Sequence, residues 1–230
     1  MAIRAKTQSW QVIVLIAAAL ALMAVERWKP GLLRSWRDQP ATSERTPGSE
    51  SRDTTGKPSS SDKPAVVGGY ERLEGCEWIA HRQNDGDSFR LKLPDGRVEQ
   101  FRLYFVDCPE SAFKEYGRGE NNHDRIRQQA RDMGVTDDEV VALGKRAKQE
   151  VERLLAGKSI TLYTEWDDPF GDRRYHAFVE LPGGGWLHEW LVSEGLARVH
   201  TKGAMLPDGT AEAAHERALE QREREARAER

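Results

Sequence analysis

The order of apolar and polar positions divides the chain into three parts. Residues 12–25 form an unbroken apolar run, VIVLIAAALALMAV. Between residues 38 and 65 no large apolar side chain occurs, and prolines recur among Ser, Thr and Gly. Such a stretch buries too little apolar surface to offset the entropy of ordering it. We therefore predict a signal or anchor segment at 1–28, a flexible linker at 29–66 and a folded domain at 67–230.

The apolar run has two interpretations. As a helix its 14 residues would span ~21 Å, less than the ~30 Å hydrocarbon core. A basic start and the small residues at 19–21 are typical of a cleaved secretory signal. Trp10 and Trp28 bracket the run, however, as interfacial aromatics bracket a membrane anchor. We favour an uncleaved anchor that enters the membrane through residues 10–28. Both interpretations predict an extracytoplasmic domain.

The folded domain changes from strand periodicity to helix periodicity along its length. Period-2 segments occur at 76–83, 88–93, 97–106, 160–165 and 176–181, and turn residues separate the first three as an antiparallel meander. A capping box at Thr136 and Glu139 starts a helix that runs to Gly157. A short helix is expected at 188–194, and Thr210 would cap a final charged helix. This mixture predicts an α+β domain, built as a small barrel.

Composition and charge narrow the function classes. The 230 residues are 38% hydrophobic and 32% charged, which excludes a polytopic membrane protein and a wholly disordered chain. Residues 1–66 carry 10 basic and 6 acidic residues, whereas 67–230 carry 25 and 32. An acidic domain must place positive charge locally if it handles nucleic acid. The two cysteines, Cys76 and Cys108, are candidates for one disulfide in an oxidising compartment.

Carboxylates flank the second and third predicted strands. Asp85 and Asp87 precede the second strand, and Asp107 and Glu110 follow the third. Because antiparallel neighbours place these two positions at one end of the sheet, we expect Asp87 and Asp107 to meet. Two carboxylates with a backbone carbonyl and water would suit Ca²⁺. Pro109 would hold Glu110 beside that site.

Arg102 lies five residues before Asp107 in the same predicted strand. Odd spacing places two side chains on opposite faces of a regular strand. The two residues can therefore converge only if a bulge or a strong twist interrupts the strand.

Four segments together resemble the staphylococcal nuclease (thermonuclease) family. They are 85–89 (DGDSF), 101–110 (FRLYFVDCPE), 170–177 (FGDRRYHA) and 187–199 (LHEWLVSEGLARV), in the family's order. The resemblance extends from about residue 76 to the C-terminus. It implies a five-stranded OB-type β-barrel with about three helices, and a Ca²⁺-dependent phosphodiesterase, expected to be an endonuclease, that hydrolyses DNA and/or RNA.

The resemblance also implies roles for particular residues. Glu110 would act as general base toward the attacking water, and two arginines would bind the phosphate. The second arginine is either Arg173 or Arg174, and the spacing to Ala177 favours Arg174. The implied metal ligands are Asp87, Asp107 and the carbonyl of Cys108, and the implied phosphate ligands are Arg102 and Arg174.

The chain also departs from the family pattern. Residues 111–135 form a longer segment than the family's loop, which suggests a partly helical lid or specificity element. The sequence HTKG at 200–203 replaces the tyrosines that hold the nucleotide in the family, so base stacking is left to Phe170 or to the inserted segment. These departures keep open a second hypothesis, a non-catalytic OB-type binding module for nucleic acid, a peptide or an envelope component.

Overall fold

The computed structural model describes residues 65–230, so the predicted anchor and nearly all of the linker lie outside the described residues. The strands are β1 (Ala65–Val67), β2 (Tyr70–Ile79), β3 (Ser88–Lys92), β4 (Val98–Leu103), β5 (Val106–Asp107), β6 (Ile160–Thr164), β7 (Arg174–Glu180) and β8 (Arg198–Val199). The α-helices are α1 (His123–Met133), α2 (Asp137–Leu155), α3 (Leu187–Ser193) and α4 (Glu212–Ala228). Within residues 65–230, no helix has the length and apolar content needed to cross a membrane.

Five of the strands close into a ring. β2, β3 and β4 form the predicted antiparallel meander, and β7 adds to β4 in parallel. β6 then pairs with β7 on one side and with β2 on the other, which closes the sheet on itself. Apolar side chains that alternate along these strands, such as Phe89, Leu91 and Phe101, fill a fully buried core. The predicted mixed α+β architecture is therefore confirmed.

The predicted third strand is broken near its end. Phe105 has a positive φ of 68°, and its backbone bonds to a different segment of the chain. Its N–H donates to the carbonyl of Lys202, and its carbonyl accepts from the N–H of His200, both at 2.9 Å. After this turn β5 pairs with β8, with Asp107 opposite Arg198. The break supplies the departure from a regular strand that Arg102 and Asp107 need in order to converge.

The segment at 111–135 contains an additional helix, α1. The helix ends at Gly134, whose φ of 69° lets its N–H bond to the carbonyls of Ala130 and Arg131. Its apolar face packs on the start of α2, which begins at the predicted Thr136–Glu139 capping box. The described residues therefore contain four α-helices where about three were expected. The small cluster between the two helices consists of Ile126, Ala130, Met133, Val140 and Val141.

Two further predictions were wrong in detail, and the disulfide that the sequence left open is not formed. β2 spans Tyr70–Ile79 and not 76–83, because its first half pairs with β6 from Glu71 onward and long-range pairing overrode the local pattern. Thr210 does not cap α4, whose N-cap residue is Ala211 without a side-chain hydrogen bond. Cys76 and Cys108 are buried and free, so no disulfide is present between them.

Candidate active site

The two predicted metal-binding carboxylates meet at one end of the ring. Asp87 precedes β3 and Asp107 ends β5, and both side chains are almost fully buried. The backbone carbonyl of Asp87 accepts from the N–H of Leu103 at 2.9 Å, which fixes the start of β3 against the end of β4. The N–H of Cys108 donates to Asp87 Oδ2 at 2.8 Å. The meander therefore brings together the residues that the sequence placed at the same sheet end.

Arg102 lies between these carboxylates. Its Nη2 is 3.2 Å from Asp107 Oδ1 and 3.6 Å from Asp87 Oδ2. The side chain is only 11% exposed, so the guanidinium contributes its charge in a largely desolvated setting. Arg102 thus holds both acidic groups and still lines the cleft beside them.

Asp107 accepts hydrogen bonds on both of its oxygens. A carboxylate offers about four lone-pair sites, and four side chains donate to this one. Burial acts to raise the pKa of Asp107, but Arg125, Gln129 and Arg198 outweigh burial and hold that pKa below its usual range. Asp107 is thus a saturated carboxylate. Its partners are Arg102 (3.2 Å) and Arg125 (2.7 Å) on Oδ1, and Gln129 (2.9 Å) and Arg198 (Nε, 3.0 Å) on Oδ2.

Two of these partners come from α1 and were missed by the sequence analysis. Arg125 and Gln129 are one helical turn apart and therefore lie on the same face of the helix. Gln129 is fully buried and donates to the carbonyl of Cys108 at 3.2 Å as well as to Asp107. Its Oε1 accepts from the N–H of Glu110 at 3.0 Å. The i, i+4 spacing was visible in the sequence, but nothing in it showed where this helix docks.

Arg198 was expected only as part of a strand end, and its place at the site was not predicted. Arg198 is buried and bonds to Asp107 directly across the β5–β8 pair. Its other contact is an ion pair with Asp132 of α1. Arg198 therefore connects the inserted helix to the acidic end of the ring.

Glu110 lies at the edge of the cleft with a side chain that is 20% exposed. Its oxygens are near three donors, Lys114 Nζ at 3.4 Å, Asn122 Nδ2 at 3.1 Å and Arg125 Nε at 3.1 Å. The loop that carries Glu110 packs tightly on α2 at Gly144. A Cβ at that glycine would lie 2.5 Å from the carbonyl oxygen of Glu110, so only glycine permits this approach.

A cleft of about 120 Å³ brings most of the predicted residues together. It includes Arg174 but not Arg173, which lines a separate groove with Val98 and Glu99. Phe170 does not line the cleft; it is 63% exposed and its ring lies 6.2 Å from that of His176. The residues that line the cleft are Asp85, Asp87, Arg102, Cys108, Pro109, Glu110, Ser111, Lys114, Arg125 and Arg174.

The carboxylate and carbonyl oxygens at this end of the ring are of the chemical type that a hard cation takes as ligands. Burial, and after it the neighbouring charge of Asp87, raises the pKa of Asp85 well above its usual value. Burial, followed by the charges of Asp87 and Asp85, also raises the pKa of the Cys108 thiol. Cys108 would therefore offer its carbonyl and not a thiolate. Within residues 65–230, no three His, Cys, Asp or Glu side chains group closely enough to hold a metal ion.

Comparison with known proteins supports the resemblance. A family model described as staphylococcal nuclease homologue matches residues 100–230. A search of the curated proteins found no match. The matched segment covers more than half of the 230 residues and includes Arg102, Asp107, Glu110 and Arg174. The chain belongs to the staphylococcal nuclease homologue family.

Proposed function

We propose that this protein is a Ca²⁺-dependent nuclease that hydrolyses phosphodiester bonds of DNA and/or RNA, acting as an endonuclease. The observation that carries the proposal is the single cleft into which Asp87, Arg102, Glu110 and Arg174 converge, with Asp107 behind it. Membership of the family supports a nuclease-type activity for this cleft. The closed ring of five strands further supports the OB-type barrel interpretation of the fold.

The carboxylates would hold the cation. Asp87 and Asp107 would each contribute an oxygen, and Cys108 would contribute its backbone carbonyl. A bound Ca²⁺ would offset the negative charge of the phosphodiester and lower the pKa of a bound water. The burial of both aspartates keeps this charge interaction in a region of low dielectric, where it is stronger than in water.

Arg102 and Arg174 would bind the phosphate from two sides. A guanidinium pairs bidentately with two phosphate oxygens and stabilises the charge that grows on them in the transition state. Arg102 is fixed by its contacts with Asp87 and Asp107. Arg174 begins β7, the parallel neighbour of the strand that carries Arg102, and is ion-paired with Asp172 of the preceding loop.

Glu110 would accept the proton of the attacking water. Its neighbours Lys114, Asn122 and Arg125 are all donors and hold the carboxylate at the edge of the cleft, where a general base would meet the attacking water. Phe170 would bind the nucleotide. It is a large exposed aromatic on the loop that leads to Arg174, and exposed aromatics of this kind stack on bases.

Hydrolysis of single-stranded DNA and of RNA by the full chain, with Ca²⁺ or with EDTA, tests the proposal. We expect activity only with Ca²⁺, and a loss of about 10²- to 10⁴-fold for Glu110→Gln. Arg174→Ala should cost about 10²- to 10³-fold. Its matched control is Arg173→Ala, the adjacent arginine outside the cleft, which should retain activity. Activity that survives EDTA or Glu110→Gln would overturn the mechanism.

One observation favours the second hypothesis, a non-catalytic OB-type binding module. Because four donors already satisfy Asp107, the carboxylate has no spare lone pair for a metal. Tight nucleic-acid binding without turnover, under conditions in which Ca²⁺ is bound, would support this hypothesis over the nuclease.

The N-terminal apolar run suggests where the protein is located. Trp10 and Trp28 flank this run, as interfacial aromatics flank a membrane anchor. We propose that residues 10–28 anchor an extracytoplasmic enzyme in the membrane. Membrane fractionation with mass measurement of the mature N-terminus tests this, and a soluble chain shortened near residue 21 would show signal cleavage instead.

A further inference from the structure

The inserted helix α1 places a positive charge where a cation would act. Arg125 Nη2 donates to Asp107 Oδ1 at 2.7 Å, the shortest of the four contacts to that carboxylate, and its Nε lies 3.1 Å from Glu110 Oε1. The guanidinium therefore joins one proposed metal ligand to the proposed general base. These contacts lie in the cleft that also contains Asp87 and Arg102.

The other donors to Asp107 are buried, whereas Arg125 is half-exposed. The side chains of Arg102 and Arg198 are 11% and 6% exposed, and Gln129 is fully buried. The Arg125 side chain is 47% exposed and has solvent on one side. If a ligand takes a lone pair of Asp107, Arg125 is the donor that can leave without unpacking the protein.

We propose that Arg125 is a residue of the active site and acts as an internal counter-ion that a divalent cation must displace from Asp107. This inference rests on the proposed function, because it concerns the same metal site. In the metal-free protein Arg125 balances the charge of Asp107 and Glu110. When a cation binds, the guanidinium swings away from Asp107 but stays in the cleft, where it faces the phosphate beside Arg102 and Arg174. The inserted segment thus weakens cation binding and adds a third arginine for the substrate.

Calcium affinity of the full chain, measured by titration calorimetry without substrate, tests the displacement. We expect Arg125→Gln to bind Ca²⁺ about tenfold more tightly than the wild type, which corresponds to about 1.4 kcal/mol. Arg125→Lys should fall between the two, because an ammonium keeps the charge but loses the planar fork. Because Arg125 is half-exposed, both variants should fold, and circular dichroism checks that they do.

Two charge-matched controls separate displacement from general electrostatics. Lys114→Gln removes a positive charge near Glu110 but leaves Asp107 untouched. Arg127→Gln removes one from the same helix, where Arg127 pairs with Asp124. Both should change Ca²⁺ affinity by less than about threefold, since neither side chain contacts Asp107 and the more distant field of an exposed charge is screened by solvent and salt.

The possible results distinguish this inference from the proposed function. An Arg125→Gln affinity equal to or weaker than wild type, or no tighter than that of Lys114→Gln, overturns the displacement and leaves the nuclease proposal standing. Failure of the wild type and of every variant to bind Ca²⁺ overturns both. Tighter binding confined to the Arg125 variants supports the displacement whether or not the chain hydrolyses DNA.

Discussion

The ring and the inserted segment at 111–135 contribute different parts of the same site. Asp87 precedes ring strand β3, and Asp107 lies on the short β5–β8 pair beside the ring, so strand pairing over a large buried core holds both carboxylates. The inserted segment supplies Arg125 and the amide of Gln129, held by a cluster of five buried residues and the Arg198–Asp132 ion pair. The two carboxylates are therefore held by a much larger buried core than Arg125 and Gln129 of the inserted segment are.

Removing Arg102 should have the largest effect on the ring side. Arg102→Met deletes the guanidinium that contacts both Asp87 and Asp107, which leaves buried carboxylates with less compensation. We expect the free energy of unfolding to fall by about 3–5 kcal/mol and hydrolysis to be lost. Urea denaturation followed by circular dichroism measures the change in stability.

Arg173→Met is the matched control, because Arg173 is exposed and outside the cleft. It should change stability by no more than about 0.5 kcal/mol. If Arg102→Met also stayed within about 1 kcal/mol of the wild type, the carboxylates would not depend on Arg102, and the ring side of the site would be supported in another way.

The core of each region can be weakened separately. Leu91→Ala empties a fully buried position of the ring, and Ile126→Ala empties one of the inserted cluster. Each cavity should lower the free energy of unfolding of its own region by about 2–5 kcal/mol. We expect Leu91→Ala to lower the global free energy of unfolding, and Ile126→Ala to open the inserted segment locally.

Native-state hydrogen exchange distinguishes these outcomes. In Ile126→Ala the amides of α1 should lose protection while those of β3 and β4 keep it. Equal loss of protection in the ring and in α1 would show that the two regions unfold as one unit. The inserted segment would then not be less stable than the ring.

The sequence predicted the ring side of the site better than the inserted side. Asp87 and Asp107 could be placed together because a meander has a fixed geometry and the turns between its strands are readable from local residues. The positive φ of Phe105 could not be predicted, because it depends on hydrogen bonds to residues 200 and 202, almost a hundred positions away. That break is what turns Asp107 toward Arg102.

The contribution of α1 depends on a docking that local patterns do not encode. The face that carries Arg125 and Gln129 is polar, and such a face usually points to solvent. It becomes part of the site through long-range contacts: Gln129 bonds to the backbone of Cys108 and Glu110, and Asp132 of the same helix pairs with Arg198, which lies opposite Asp107 on β8. The choice between Arg173 and Arg174 likewise depends on loop geometry, and the cleft contains Arg174 and not Arg173.

Acidification should change stability least among these perturbations, and it should act on helices α3 and α4. His188 of α3 and His215 of α4 are buried with their Nε2 atoms 2.8 Å apart, and the ring of Phe105 packs against both. One imidazole must donate to the other, so the pair requires at least one neutral ring. Burial lowers the pKa of both histidines, and the nearby Arg222 lowers them further, although Glu189 and Asp208 partly oppose this for His215.

Because the folded pKa values lie below the unfolded value of about 6.5, the unfolded chain gains protons first as the pH falls. The free energy of unfolding should therefore be highest above pH ~6.5 and should fall as the pH is lowered toward 5. The decrease should be up to about 1.4 kcal/mol per pH unit for each histidine that stays neutral in the folded protein. Asp107 keeps its charge in this range, because its pKa is lowered. Hydrogen exchange at pH 5 should thus show earlier loss of protection in α4 than in α1.

A variant with both His188→Leu and His215→Phe tests whether these histidines cause the pH dependence. Its free energy of unfolding should change much less between pH 7 and pH 5 than that of the wild type. An unchanged dependence on pH would assign the effect to other groups.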